Sequence, residues 1–331
     1  MNAPNGWIIL DKPVGLGSTQ AVAAVRRNFR EAGFGKVKVG HGGTLDPLAE
    51  GVLPIAVGEA TKLTGRLLDA SKIYEFTIRF GAETDTLDAE GEVVRTSDRF
   101  PPLAAVAAIL PEFIGEIEQV PPAYSALKVD GKRAYDLARA GEDVKLESRR
   151  VTIHALEPAS GVLTSSRRPI DSAFAISAGR PDPYDPSAPL EVAESITLVA
   201  HVSKGTYIRS LARDIAHALG TVGHVTMLMR TKAGLFGLEQ AISLDKLNEI
   251  GNGAPLEHVL LPLEAGLDDI PAFDLGPEQA RAVRQGRVLT GLSQKDGQYW
   301  ARAGDIPVAL VELAGGEARV VRGFNLSDVA E

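Results

Sequence analysis

Hydrophobic and polar positions alternate along short stretches of this chain, and elsewhere apolar positions recur at helical spacing. In residues 73–80 an apolar or aromatic side chain takes every second position from Tyr74 onward, which is typical of a strand with one buried face. Residues 196–203 alternate in the same way. Helical spacing predicts helices over residues 18–30, 103–112 and 132–140. The chain is therefore expected to mix α and β structure.

Another helix is predicted directly after the second strand pattern. Ile208, Leu211 and Ile215 recur at helical spacing. Tyr207 and Arg209 consequently lie where the chain passes from a strand to the start of a helix.

The 331 residues exceed the size at which one hydrophobic core usually stops growing, which favours a large and a small domain. Residues 159–190 break the periodic pattern and contain four prolines within nine residues, so they are interpreted as a surface insertion. From about residue 271 short strand patterns alternate with turn glycines. We expect a main domain over residues 1–250 and a small β-rich domain over residues 271–331.

The composition excludes several kinds of chemistry. The chain has no cysteine, which excludes disulfides, thiolate metal sites and a cysteine nucleophile, and its six histidines show no zinc spacing. No apolar run approaches a membrane span, and the first ten residues lack the features of an export signal. These features favour a cytoplasmic protein without a membrane partner.

The overall charge of −8 at first argues against a nucleic-acid partner. The charge is unevenly distributed, however, because residues 1–40 carry six basic and two acidic side chains. Residues 200–235 carry five basic and one acidic side chain, whereas residues 240–331 carry eight and fourteen. Two basic segments in an acidic chain are compatible with a localised anionic ligand.

The most informative segment is the glycine-rich stretch that ends at Asp46. Asp46 precedes Pro47, which disfavours helical geometry at the aspartate and suits a first helical turn at the proline. Two interpretations are open: a carboxylate projecting from a tight loop, or the cap of a short helix beginning at Pro47. This glycine-rich stretch lacks the lysine that follows the glycines of a P-loop, which argues against a small-molecule phosphotransferase.

Five ordered strings together resemble one enzyme family. They are GWIILDKPVGLGS at residues 6–18, GHGGTLDPLAEGVLPIAVGEATK at 40–62, KIYEFTIRFGAETDTLDAEG at 72–91, VPPAYSALKVDGKRAYDLARAG at 120–141 and HVSKGTYIRSLARDIAHALG at 201–220. In these strings the chain resembles the TruB-type tRNA pseudouridine synthases. The resemblance implies an α+β fold: a catalytic domain with a mixed, mostly antiparallel sheet over residues 1–250, and a small PUA-like RNA-binding domain over residues 271–331.

The resemblance also implies a function, the isomerisation of uridine to pseudouridine at position 55 in the T-loop of tRNA. That reaction breaks the N1–C1′ bond, turns the uracil and joins C5 to C1′, and it needs no metal or redox cofactor. The implied partner is the T-arm of tRNA, without an obligatory protein partner, and the implied state is a monomer.

The family pattern implies a role for each matching residue. Asp46 is the essential carboxylate, which could act on C1′, on C6 of the base or on the C2′ proton. Arg209 keeps Asp46 ionised, because a buried carboxylate would otherwise tend to become the neutral acid. Tyr74 stacks on the base, and His41 fills the space that the flipped nucleotide leaves.

Three further positions are weaker candidates in the same pattern. Tyr207 is a pocket residue, Lys12 supports the active-site loop and Leu228 contacts the base. Ordinary alternatives stay open, since Lys12 could be a solvated surface lysine and Leu228 could be a core residue. Two other functions also stay open: a non-catalytic protein that binds or folds tRNA, and a pseudouridine synthase subunit that depends on a guide RNA.

Overall fold

A computed structural model describes residues 4–129, 131–142, 144–168, 190–253, 255 and 259–326. Its strands are, in chain order, β1 (Gly6–Lys12), β2 (Val39–His41), β3 (Glu50–Val57), β4 (Lys72–Phe80), β5 (Ala82–Thr84), β6 (Val93–Thr96), β7 (Gly115–Gln119), β8 (Lys128–Val129), β9 (Lys132–Arg133), β10 (Arg149–Arg168), β11 (Leu190–Val202), β12 (Gly223–Ala233), β13 (Phe236–Gly237), β14 (Ala272–Asp274), β15 (Gly297–Ala303), β16 (Ile306–Ala314) and β17 (Glu317–Gly323). Its α-helices are α1 (Ser18–Glu31), α2 (Thr64–Asp69), α3 (Leu103–Ile109), α4 (Ala134–Arg139), α5 (Ile208–Ala218), α6 (Leu244–Asn248) and α7 (Pro277–Arg284). Short 3-10 helices lie at Gly58–Leu63, Leu110–Phe113, Leu238–Gln240 and Leu263–Gly266.

The chain divides into two compact units. Unit 1 consists of Met1–Asp46, Gly51–Leu68 and Ala233–Glu331, and unit 2 of Pro47–Glu50 and Asp69–Lys232. Within the described residues, no helix combines the length and the apolar character needed to cross a bilayer.

The helices predicted from periodicity are confirmed with small changes in their ends. The helix expected over residues 18–30 is α1, and the one expected over 103–112 is α3 followed by a 3-10 turn. The helix expected over 132–140 begins two residues later, because β9 pairs with β8 in a short hairpin. Backbone hydrogen bonds to a partner strand take precedence there over helical spacing.

In unit 2 the strands follow the order β12-β4-β11-β10-β7. Within this order, the neighbouring pairs β4–β11, β11–β10 and β10–β7 are all antiparallel. Phe76, Ile78 and Phe80 are buried and Arg79 is exposed, which confirms the alternation expected for residues 73–80. Tyr74, at the start of the same row, is only half-buried.

The segment interpreted as a surface insertion begins and ends inside two long strands. Residues 159–168 continue β10, and β10 pairs with β11 as far as Arg168 opposite Leu190. A strand partner satisfies the backbone whatever the side chains are, so the weak hydrophobic pattern did not reveal this extension. The rest of the predicted insertion, residues 169–189, lies outside the described residues.

In unit 1, β1 and β2 each pair antiparallel with β3. The indole of Trp7 on β1 is fully buried and donates a hydrogen bond to the Leu263 carbonyl at 3.0 Å. Trp7 packs in one hydrophobic core with Leu310 of β16 and with Phe324. The C-terminal strands therefore share a core with the N-terminal strand.

The predicted β-rich character of the C-terminal region is confirmed, whereas its bounds as a separate domain over residues 271–331 stay a prediction. Strands β14 to β17 form a four-stranded sheet in chain order, and α7 packs Ala280 and Val283 into its separate core. Residues 271–326 carry seven basic and six acidic side chains. The acidic excess of the C-terminal region therefore lies outside this sheet and helix.

A small polar cluster joins the 3-10 helix at Gly58–Leu63 to the end of β17. The Lys62 ammonium donates to Glu59 Oε2 at 2.7 Å and to the Gly323 carbonyl at 2.8 Å. The same Glu59 oxygen accepts from the Asn325 backbone N–H at 2.6 Å. Glu59 and Lys62 belong to the GEATK string, which thus has a structural role.

We expect Lys62→Met to lower the free energy of unfolding of unit 1 by about 1–2 kcal/mol, because Glu59 and the Gly323 carbonyl lose a charged donor. Both tryptophans, Trp7 and Trp300, lie in unit 1, so a urea titration followed by tryptophan fluorescence measures this change.

Lys246→Met is the matched control for Lys62→Met. Lys246 and Glu249 have the same spacing and a 2.6 Å contact, but their side chains are 39% and 51% exposed, against 25% and 21% for Lys62 and Glu59. We expect this control to change the free energy of unfolding by less than about 0.5 kcal/mol. Equal effects of the two substitutions would contradict the stabilising role of the polar cluster at Lys62.

Candidate active site

The loop that leads to Asp46 is held closely by its surroundings in unit 1. The Gly42 N–H donates to the Pro54 carbonyl at 2.8 Å. A Cβ atom at Gly42 would approach the Leu67 Cβ to 2.9 Å, so only glycine fits at this position. Gly43 has φ of 137°, a conformation that also favours glycine. The glycines that precede Asp46 therefore allow a tight loop against α2.

Asp46 is half-buried at the end of this loop. Residues 47–48 form a bend, and the next regular element is β3 from Glu50. No helix begins at Pro47, so the interpretation of Asp46 as a helix cap is wrong. A carboxylate on a loop between two strands is the alternative that remains.

Lys12 lies at the end of β1 and is fully buried. Its ammonium donates to the Pro13 carbonyl at 2.9 Å and to the Leu16 carbonyl at 2.7 Å. The interpretation of Lys12 as a solvated surface lysine is wrong, because the side chain closes the turn between β1 and α1. His41 is half-buried at the end of β2, and its Nδ1 accepts from the Gly43 N–H at 3.4 Å.

Arg209 lies in the first turn of α5 in unit 2, and its side chain is only 6% exposed. Its guanidinium donates to the Thr86 carbonyl at 2.8 Å and to the Tyr124 carbonyl at 3.0 Å. One of its nitrogens lies 3.2 Å from Asp88 Oδ2. Burial together with an ion pair fixes this cation in place.

Asp88 is a candidate functional residue that the sequence reasoning missed. Its Oδ1 accepts from the Thr86 hydroxyl at 2.6 Å and from the Glu90 N–H at 3.0 Å, which leaves Oδ2 for Arg209. Leu87 has φ of 63°, which a non-glycine residue rarely adopts. Residues in such rarely populated backbone conformations cluster at functional sites. Asp88 belongs to the family-like string at residues 72–91, which was the sequence signal that could have indicated its role.

Tyr207 is half-buried directly before α5. Its backbone N–H donates to the Gln119 side-chain oxygen at 2.8 Å, and Gln119 is fully buried. The Arg149 guanidinium lies over the Tyr207 ring at 4.7 Å from its centroid. The tyrosine is thus held on its backbone side and on one ring face.

Tyr74 and Leu228 lie on strands β4 and β12 of unit 2. Tyr74 pairs with Ala200 of β11 and is half-buried. Leu228 is 5% exposed, which agrees with its interpretation as a core residue. Contact of either side chain with a nucleobase stays a prediction.

Several cations of unit 2 lie close to one another. Burial and the nearby Arg230 lower the pKa of Lys72 to about 8. Arg230 is 1% exposed, so it is a poor candidate for contact with the anionic ligand that the two basic segments suggest. Lys204 and Lys232 are exposed, and Lys204 pairs with Asp69 at 2.7 Å.

Within the described residues, no cluster of three or more His, Asp or Glu side chains could hold a metal ion.

The predicted site residues fall into two sets. Lys12, His41 and Asp46 belong to unit 1, whereas Tyr74, Tyr207, Arg209 and Leu228 belong to unit 2. The pairing of Arg209 with Asp46 stays a prediction, since the two residues belong to different units.

Comparison with known proteins decides the family. Residues 30–177 match the family described as "TruB family pseudouridylate synthase (N terminal domain)". Residues 209–268 match the family described as "tRNA pseudouridylate synthase B C-terminal domain". A protein of Novosphingobium aromaticivorans named tRNA pseudouridine synthase B is 68% identical over 99% of both chains. The chain belongs to the TruB family. A protein of Zymomonas mobilis with the same name is 53% identical to this TruB-family chain over 98% of it and 97% of the relative.

Solved structures support the fold of this TruB-family protein. A chain in a structure of an H/ACA RNP bound to a substrate RNA containing 2′-deoxyuridine aligns with a TM-score of 0.66 at 23% identity, over 98% of this chain and 86% of that one. A chain in the archaeal box H/ACA sRNP Nop10-Cbf5 complex aligns with a TM-score of 0.65 at 24% identity, over 98% and 87%. The predicted pseudouridine synthase fold, with its mostly antiparallel sheet, is confirmed.

Proposed function

We infer that this protein is an isomerase that converts uridine into pseudouridine in tRNA, and we propose position 55 of the T-loop as its target. The observation that carries the inference is the similarity over nearly the whole chain to relatives named tRNA pseudouridine synthase B. The T-loop target rests on the resemblance of the five quoted strings.

We propose that Asp46 supplies the essential carboxylate. The reaction breaks the N1–C1′ bond and forms a C5–C1′ bond, so charge develops on the ribose while the uracil turns. An ionised oxygen beside the ribose stabilises this charge or forms a transient bond, as in retaining glycosidases. The C5 proton is then lost and N1 gains one, so the product has the composition of the substrate. The position of Asp46 on a loop between two strands supports this role, because no helix begins at Pro47.

Arg209 is proposed to hold Asp46 in its ionised form. A nearby cation lowers the pKa of a carboxyl group, and a buried, hydrogen-bonded guanidinium keeps its charge at any physiological pH. Support comes from the burial of Arg209 and from the bonds that orient it. Tyr74 is proposed to stack on the base, His41 to fill the space that the flipped nucleotide leaves, and Tyr207 and Leu228 to line the pocket.

The protein is further proposed to act as a cytoplasmic monomer on the T-arm of free tRNA, without an obligatory partner, and to use residues 271–331 as an additional RNA contact. The near balance of charge in residues 271–326 permits such a contact.

The test is to incubate the purified chain with a tRNA transcript in the presence of a chelator and to map pseudouridine at each uridine. We expect product at the T-loop uridine and none in a transcript in which that uridine is replaced by cytidine. Binding without product would instead indicate a non-catalytic tRNA-binding protein. Product that appears only after an RNA fraction is added would indicate a guide-dependent enzyme.

A further inference from the structure

The hydroxyl group of Ser18 is bound from both sides by one residue, Leu45. Ser18 Oγ donates to the Leu45 carbonyl at 2.8 Å and accepts from the Leu45 N–H, also at 2.8 Å. Both residues are buried, with 4% of each exposed. Buried hydrogen bonds of this length are costly to remove, because water cannot replace the lost partner.

These two bonds restrain two consecutive peptide planes. The Leu45 N–H belongs to the Thr44–Leu45 peptide, and the Leu45 carbonyl belongs to the Leu45–Asp46 peptide. A peptide group is planar, so an anchored Leu45 oxygen also sets the direction of the Asp46 N–H and the position of its Cα. The bond from Gly42 to Pro54 lies three residues upstream and involves neither of these two peptide groups.

The start of α1 does not require the Ser18 hydroxyl. Serine near a helix start commonly accepts bonds from free backbone N–H groups of the first turn. In α1 the residue before the helix is Gly17, and its N–H donates to the Gln20 side-chain oxygen at 2.8 Å. The hydroxyl of Ser18 is directed instead at the loop that carries Asp46.

We propose that Ser18 is a positioning residue for Asp46: its hydroxyl holds the Leu45–Asp46 peptide so that the carboxylate meets the ribose in a reactive orientation. The proposal rests on the proposed function, in which Asp46 supplies the essential carboxylate. Ser18 acts through Leu45 and does not touch the substrate. Its loss therefore slows the chemical step and leaves tRNA affinity unchanged.

The test compares Ser18→Ala with the wild type in the full-length protein. Two quantities are measured: the single-turnover rate of pseudouridine formation at saturating enzyme, and the dissociation constant for tRNA. We expect the rate to fall by about 10- to 100-fold, the scale expected for a displacement of a catalytic group by up to 1 Å. We expect the dissociation constant to change by less than about twofold, since no ground-state contact is removed.

Two variants accompany Ser18→Ala. Thr19→Ala removes a hydroxyl from the adjacent, exposed residue of the same helical turn, and we expect it to leave the rate unchanged. Ser18→Thr keeps the hydroxyl, and we expect it to recover most of the wild-type rate. A rate that depends on the hydroxyl at position 18, and not at position 19, supports the proposal.

Three results would overturn the proposal: a wild-type rate in Ser18→Ala, a Ser18→Thr rate no higher than that of Ser18→Ala, or parallel losses of rate, affinity and melting temperature, which would indicate a purely structural serine. Asp46→Asn, measured alongside, separates this proposal from the proposed function. If Asp46→Asn is inactive and Ser18→Ala is fully active, only the positioning role fails. If Asp46→Asn is fully active, the role of Asp46 itself fails.

Discussion

Asp46→Asn is expected to lower the single-turnover rate of pseudouridine formation by at least about 10⁴-fold, the scale seen when an enzyme loses its key catalytic group. Asparagine has nearly the same shape as aspartate and can accept similar hydrogen bonds, so the loop should keep its conformation. It cannot carry a negative charge, however, and it is a poor nucleophile. The loss should therefore appear in the rate of the chemical step and not in tRNA binding.

The measurement combines the rate with the tRNA dissociation constant and the melting temperature. Asp11→Asn is the matched control, because it makes the same chemical change at an exposed aspartate of unit 1 and should leave the rate unaltered. A large loss of affinity in Asp46→Asn would assign the residue to binding. A rate near that of the wild type would remove Asp46 from the mechanism.

Asp88→Asn is expected to destabilise unit 2 by about 3–5 kcal/mol, the usual cost of leaving one partner of a buried ion pair without its counter-charge. The side chains of Asp88 and Arg209 are 3% and 6% exposed, so water cannot compensate for the lost charge. The amide of asparagine could still accept from Thr86 and Glu90, but its NH₂ group would then face the guanidinium. If Arg209 holds Asp46 ionised, the single-turnover rate should also fall, by about 100-fold for a shift of the guanidinium near 1 Å.

Stability in unit 2 is best followed by the hydrogen exchange of the α5 amides, because both tryptophans lie in unit 1. The control is Asp69→Asn, which breaks the pair with Lys204. That pair is shorter, at 2.7 Å, but both side chains are more than 60% exposed. We expect little change in this control, because solvent screens exposed pairs. Similar effects in the two variants would show that burial does not determine the strength of the Asp88–Arg209 pair.

The secondary structure was largely predictable because most elements are amphipathic. Strand β4 alternates between core and surface, and helix α1 repeats its apolar side chains at helical spacing, so the burial pattern is visible in the sequence. The extension of β10 through residues 159–168 was missed, since a strand satisfied by its backbone partner needs no such pattern. The start of α4 was misplaced by two residues for the same reason.

The sequence by itself determined the family, the candidate catalytic groups and the mixture of α and β structure, because residue types and their spacing are local properties. Only the tertiary structure decided that Lys12 is buried, that Arg209 pairs with Asp88, and that the Ser18 hydroxyl bonds to both backbone groups of Leu45. The two contacts join residues whose distance along the chain does not show their distance in space. The burial of Lys12 depends on the exclusion of water by the folded chain. Neither property can be determined until the chain has folded.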